Sequence, residues 1–96
     1  MTSSKEYKDY ILEKLNILDD IKYKPMMGEY LLYYRNVLFG GIYDDKFLIK
    51  ITKSNKKYKL SEEIPYIGAK TMYQIENIDD QNEIKQIIID TYNNLK

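Results

Sequence analysis

The sequence predicts an α+β fold, in which helices from the two ends of the chain lie side by side on one face of an antiparallel sheet of about five strands. Three observations carry this. Residues 29–51, EYLLYYRNVLFGGIYDDKFLIKI, read as three strands joined by two-residue turns at Arg35-Asn36 and Asp44-Asp45. Near the start, Tyr7, Tyr10, Ile11, Leu15 and Leu18 recur at spacings of three and four. Near the end, Ile84, Ile87, Ile88, Tyr92 and Leu95 do the same. Two such stripes cannot satisfy each other and also leave a wide apolar sheet uncovered, so a two-layer domain is the simplest packing.

Each element follows from local chemistry. Ser3 or Ser4 can cap the first helix, which Asp19-Asp20 ends. Ile21 to Met26 alternates as a short strand in which Pro25 suits an edge or a bend. Gly28 then allows a backbone turn that a Cβ would hinder. After the meander, Thr52 to Leu60 holds four lysines (53, 56, 57 and 59) and reads as a short, solvated helix. Ser61 to Lys70 contains Pro65 and Gly68 and reads as irregular, and Thr71 to Ile75 as a fifth strand. The last helix opens near Asp79, whose carboxylate can cap it, while Asp80 and Glu83 suit its positive end. The order is helix, strands, short helix, strand, helix, in one domain over 1–96.

Two-residue turns set Tyr34 opposite Val37 and Tyr43 opposite Lys46. With strict alternation, one face then carries Leu31, Tyr33, Leu38, Gly40, Ile42, Phe47, Ile49 and Ile51. That face is the expected core. The other carries Tyr30, Leu32, Tyr34, Val37, Phe39, Gly41, Tyr43, Lys46, Leu48 and Lys50. Gly40-Gly41 inside a strand signals a bulge, or room for a neighbour such as a Tyr ring. A bulge would change which residues face inward beyond it.

Composition excludes several classes. A chain of 96 residues with 44% hydrophobic and 31% charged side chains is an ordinary globular sequence. No apolar run approaches the roughly 20 residues of a membrane span, and MTSSKEYKDY lacks the apolar core of a secretory signal. The chain has no Cys, so a reducing compartment is allowed, and a bacterial cytoplasmic location is expected. Its 15 basic and 15 acidic residues cancel, which disfavours sequence-blind nucleic-acid binding.

No catalytic residue, cofactor site or metal site is expected. His, Cys and Trp are all absent, which removes the commonest general base, the thiol nucleophile and most transition-metal sites. Ser54 with Lys53, Lys56 or Lys57 is a formal Ser-Lys pairing, but exposed lysines keep a pKa too high for a base. The carboxylate pairs Asp19-Asp20, Asp44-Asp45, Glu62-Glu63 and Asp79-Asp80 sit where turns and caps want them. No phosphate-binding glycine loop is present, because strand residues follow Gly40-Gly41.

The residues resemble the N-terminal domain of TfoX/Sxy-type competence regulators along almost the whole chain. The carriers are Pro25-Met26-Met27-Gly28, Val37-Leu38-Phe39-Gly40-Gly41-Ile42, Asp44-Asp45 with Phe47-Leu48-Ile49-Lys50, and Met72-Tyr73. The chain departs from the family pattern at Met27, Glu29 and Gln74; longer members add a C-terminal helical domain, which none of these residues is expected to supply. The resemblance implies a small secretion-chaperone-like α+β domain that pairs into dimers, and a link to regulation of DNA uptake.

The expected activity is therefore non-enzymatic protein interaction, with a regulatory partner or as a homodimer. The candidate interaction face is Tyr30, Tyr34, Phe39 and Tyr43 with Lys46 and Lys50, rings edged by ammonium groups. The alternative is a weak single-stranded nucleic-acid module using the same rings and lysines.

Overall fold

Three consecutive reversals build most of the sheet in the computed structural model, which describes residues 3–96. Strands β1 (Ile21–Met26), β2 (Glu29–Tyr34), β3 (Val37–Tyr43) and β4 (Lys46–Ile49) follow one another. Their turns place both central residues at positive φ: Met27 and Gly28 at 50° and 86°, Arg35 and Asn36 at 50° and 66°, Asp44 and Asp45 at 52° and 55°. Such left-handed pairs match the right-handed twist of the flanking strands. Both expected turns are in place, and Tyr34 pairs with Val37 and Tyr43 with Lys46.

The sheet has six antiparallel strands in the order β1-β2-β3-β4-β6-β5, where β5 is Ser61–Glu63 and β6 is Met72–Gln74. The sequence reading had about five strands and left Ser61 to Lys70 irregular. The segment Ser-Glu-Glu has little strand propensity of its own, and pairing with β6 makes it a strand. The lysine-rich stretch 52–60 forms turns and one 3-10 turn at Lys56–Tyr58 rather than a helix, and Lys59 at φ 52° closes it.

Helices α1 (Lys5–Lys14) and α2 (Gln81–Leu95) cover one face of the sheet. Ile11, Leu15 and Leu18 from the first segment meet Ile84, Ile87 and Ile88 of the second over Leu32, Phe39, Ile42, Phe47 and Ile49 in one buried cluster. The two-layer α+β architecture is as expected. Ser4 caps α1 through the Tyr7 N–H at 3.1 Å. Asp80, not Asp79, caps α2 by accepting from the Glu83 N–H at 3.0 Å, and the Asp79 carboxylate instead lies 3.5 Å from the Lys14 ammonium.

The face assignment needs correction in its first half. Tyr33 pairs with Leu38 but Leu32 pairs with Gly40, so Phe39 is an extra residue and β3 is bulged. One inserted residue exchanges the two faces of a strand with period two. Tyr30, Leu32, Tyr34 and Phe39 therefore point toward the helices, while Leu31, Tyr33 and Leu38 point away. Beyond the bulge the expected core positions hold, and Ile42, Phe47 and Ile49 are fully buried. Both readings of Gly40-Gly41 apply. A Cβ on Gly40 would stand 2.2 Å from the Leu48 carbonyl oxygen, and one on Gly41 would stand 2.7 Å from the Tyr43 ring.

Polar ties fix the remaining segments. Ser3 donates its N–H to the Gly28 carbonyl at 3.0 Å and its hydroxyl to Glu29 at 2.8 Å, and accepts from the Asp45 N–H at 3.1 Å. The start of α1 is thus fastened to two hairpin turns. Asn55, fully buried, accepts from the Thr52 N–H and donates to the Lys50 carbonyl and the Thr91 hydroxyl of α2.

Candidate functional site

The six residues expected to form one surface are divided between the two faces. Tyr34 lies 4.9 Å from the Tyr92 ring of α2, and its hydroxyl donates to Asp19 at 3.2 Å. Burial pushes its phenol pKa up, and the nearby Asp19 charge adds to this against Arg35. Phe39 is fully buried. Tyr30 is half-buried on the same side, edge-on to Tyr23 at 5.9 Å, with the Lys8 ammonium 5.6 Å from its ring. These three rings hold the helices to the sheet and present no docking surface.

Tyr43, Lys46 and Lys50 lie on the helix-free face. Tyr43 is nonetheless buried, its ring over Gly41 and 6.3 Å from that of Tyr66. Burial raises its pKa, helped by Tyr66, Glu29 and Tyr33. Lys46 is bound to Glu63 of β5 at 2.5 Å, and that hydrogen bond and charge raise its pKa. Its ammonium is therefore engaged within the chain. Lys50 is half-buried and has no carboxylate partner among the described residues.

The hairpin loop joining β5 to β6, residues 64–71, folds over part of this face. It encloses a groove of about 490 Å³ with Leu38, Tyr43, Ile51, Tyr66 and Met72 among its walls, Leu95 from the end of α2 closing one side, and Lys50 and Lys70 beside them. Its volume falls in the range of ordinary binding clefts. The loop also carries Ile64 and Tyr66, each more than half exposed, and Ile67, whose side chain is entirely in water. Three large apolar side chains on four consecutive residues are an unusual concentration for a surface loop. By strand register, Lys22 and Lys24 share the face with Tyr33 and Leu31.

The sequence reading missed this loop. Its signal was the run Ile64-Pro65-Tyr66-Ile67, apolar residues in an irregular segment that neither helical stripe nor strand alternation could absorb. No catalytic constellation accompanies the groove, and among the described residues no cluster of three acidic, His or Cys side chains is placed to hold a metal. Among the described residues, no helix is long and apolar enough to cross a membrane. No family model matches the chain, and no curated protein matches it.

Proposed function

We propose that this is a non-enzymatic protein-interaction domain that docks its partner on the helix-free face of the sheet. The observation that carries this reading is an apolar groove walled in part by the exposed Tyr66, on a loop that also exposes Ile64 and leaves Ile67 wholly in water. Such a patch costs free energy in water and recovers it when a partner covers it. The groove supplies a pocket and the same loop supplies exposed apolar side chains, and in such interfaces a few anchoring side chains dominate affinity.

The sheet edges are poor docking sites by comparison. β1 presents Lys22, Lys24 and Pro25, and β5 is only three residues long. Charged, proline-bearing and short edges discourage strand addition. The likeness to TfoX-type N-terminal domains supports a regulatory setting, with competence control the one it implies and the bacterial cytoplasm its place.

A photoreactive residue at position 67 tests the reading in cells. It should form a discrete protein adduct, while the same residue at Tyr10, an exposed ring on α1, should not. Absence of any adduct from position 67, or equal adducts from both, contradicts it.

A second reading has its own observation: Lys22, Lys24, Lys50 and Lys70 share the face with the rings of Tyr33 and Tyr66. Lysines interleaved with rings suit single-stranded nucleic acid. Retardation of an oligonucleotide that weakens steeply with salt would favour it, and none at low salt would dispose of it.

A further inference from the structure

We propose that the groove's occupant is an acidic, apolar protein segment, seating an apolar side chain between Leu38, Ile51 and Met72 and its carboxylates on Lys50 and Lys70. The inference rests on the interaction reading above and names the chemistry of the partner. The walls are apolar, yet the two ammonium groups beside them have no counter-ion among the described residues. Glu63, the acidic residue that β5 places on this face, is already bound to Lys46 at 2.5 Å. A partner that covered the groove without supplying negative charge would bury two cations unpaired, at considerable cost. Carboxylates flanking an apolar anchor remove that cost and set the segment's direction.

Other occupants fit less well. A second copy docked face to face by a twofold axis brings the same patch against itself, so Lys50 and Lys70 of one copy approach those of the other. A small anion filling the groove leaves Ile67 in water. An oligonucleotide would satisfy the ammonium groups and could stack one base on Tyr66, but Leu38, Ile51 and Met72 in the groove itself give bases no ring. The aliphatic walls therefore favour a polypeptide.

The test is panning of a random-peptide display library against the intact chain, followed by solution binding of a synthetic winner. The expected winners carry Asp or Glu beside Leu, Ile, Phe or Tyr. Lys50→Glu with Lys70→Glu should weaken the winner about tenfold or more, and a version with Lys replacing its acids should regain affinity for that variant. Lys70→Glu alone, at an exposed position, should show the same direction should the half-buried Lys50 disturb folding. Winners that lack acids and ignore both lysines overturn the inference while leaving the docking reading intact. A library yielding no Ile67-dependent binder, with a doubled solution mass or oligonucleotide binding instead, overturns both.

Discussion

At the scale of single residues, the bulge at Phe39 and Gly40 decides what the sheet can do. It turns Tyr34 and Phe39 under the helices and leaves Tyr33 and Leu38 on the open side. Substitutions of Tyr34 or Phe39 are consequently core lesions and not probes of an interface. Phe39→Ala should cost about 3–5 kcal/mol, much of the whole stability of a domain this size. Gly40→Ala should cost about 1–3 kcal/mol. The atoms it meets, the Leu48 carbonyl oxygen at 2.2 Å and the Ile49 Cα at 2.9 Å, are backbone and cannot rotate aside. Urea unfolding measures both, and a Gly40→Ala midpoint equal to the parent's would show that the bulge is absent.

At the scale of elements, the ends and ties of α2 make two separable predictions. Asp80→Ala removes the acceptor for the Glu83 N–H and should lower stability by about 1 kcal/mol, whereas Asp79→Ala breaks only an exposed ion pair and should change it far less. Equal losses would reassign the cap. The other tie joins the 3-10 turn to α2, where the Tyr58 hydroxyl donates to the Asp90 carboxylate and the Lys57 ammonium approaches within 3.3 Å. Burial and that bond push the Tyr58 pKa from 10.0 up to about 12. Burial also pushes the Asp90 carboxyl upward, but its bonds from Tyr58, Lys57 and Gln86 outweigh this and hold it below the usual range. The folded chain therefore keeps the Tyr58 proton more tightly than the unfolded chain does. This support is complete below pH 10 and is lost as pH rises from about 10 to about 12. Tyr58→Phe should be less stable at neutral pH and lose less stability across that window, as read from urea midpoints. Parallel declines of parent and variant would remove the linkage.

Elements whose instructions are local were legible in the sequence. Asn36, Asp44 and Asp45 tolerate left-handed backbone, so both hairpin turns and their pairing could be read directly. The helical stripes reach the core as their spacing requires. Strand β5 was not legible, because Ser61, Glu62 and Glu63 become a strand only through β6. Gly40-Gly41 announced an irregularity without saying which residue would be extra. That choice depends on which of Leu38 and Phe39 the helices cover, a tertiary matter.

At the scale of the molecule, the two faces of one sheet have different duties. One is closed by α1 and α2, with no buried side-chain polar atom lacking a partner among the described residues. The other keeps the groove, the exposed loop side chains Ile64, Tyr66 and Ile67, and Lys50 and Lys70, which make no ion pair among the described residues. Net charge of zero conceals this division, since two acidic residues of the open face are engaged within the chain: Glu63 by Lys46, and Glu29 by Ser3 and the Asp44 N–H. Of the candidate surface read from sequence, Tyr43 and Lys50 line the groove, and the loop adds Tyr66 and Lys70. Four single lysine variants, at positions 33, 34, 38 and 39, followed by circular dichroism during urea unfolding, test the division most directly. Tyr33→Lys and Leu38→Lys should fold and melt cooperatively, whereas Tyr34→Lys and Phe39→Lys should not fold; the opposite pattern would mean that the sheet shows its other side to the helices.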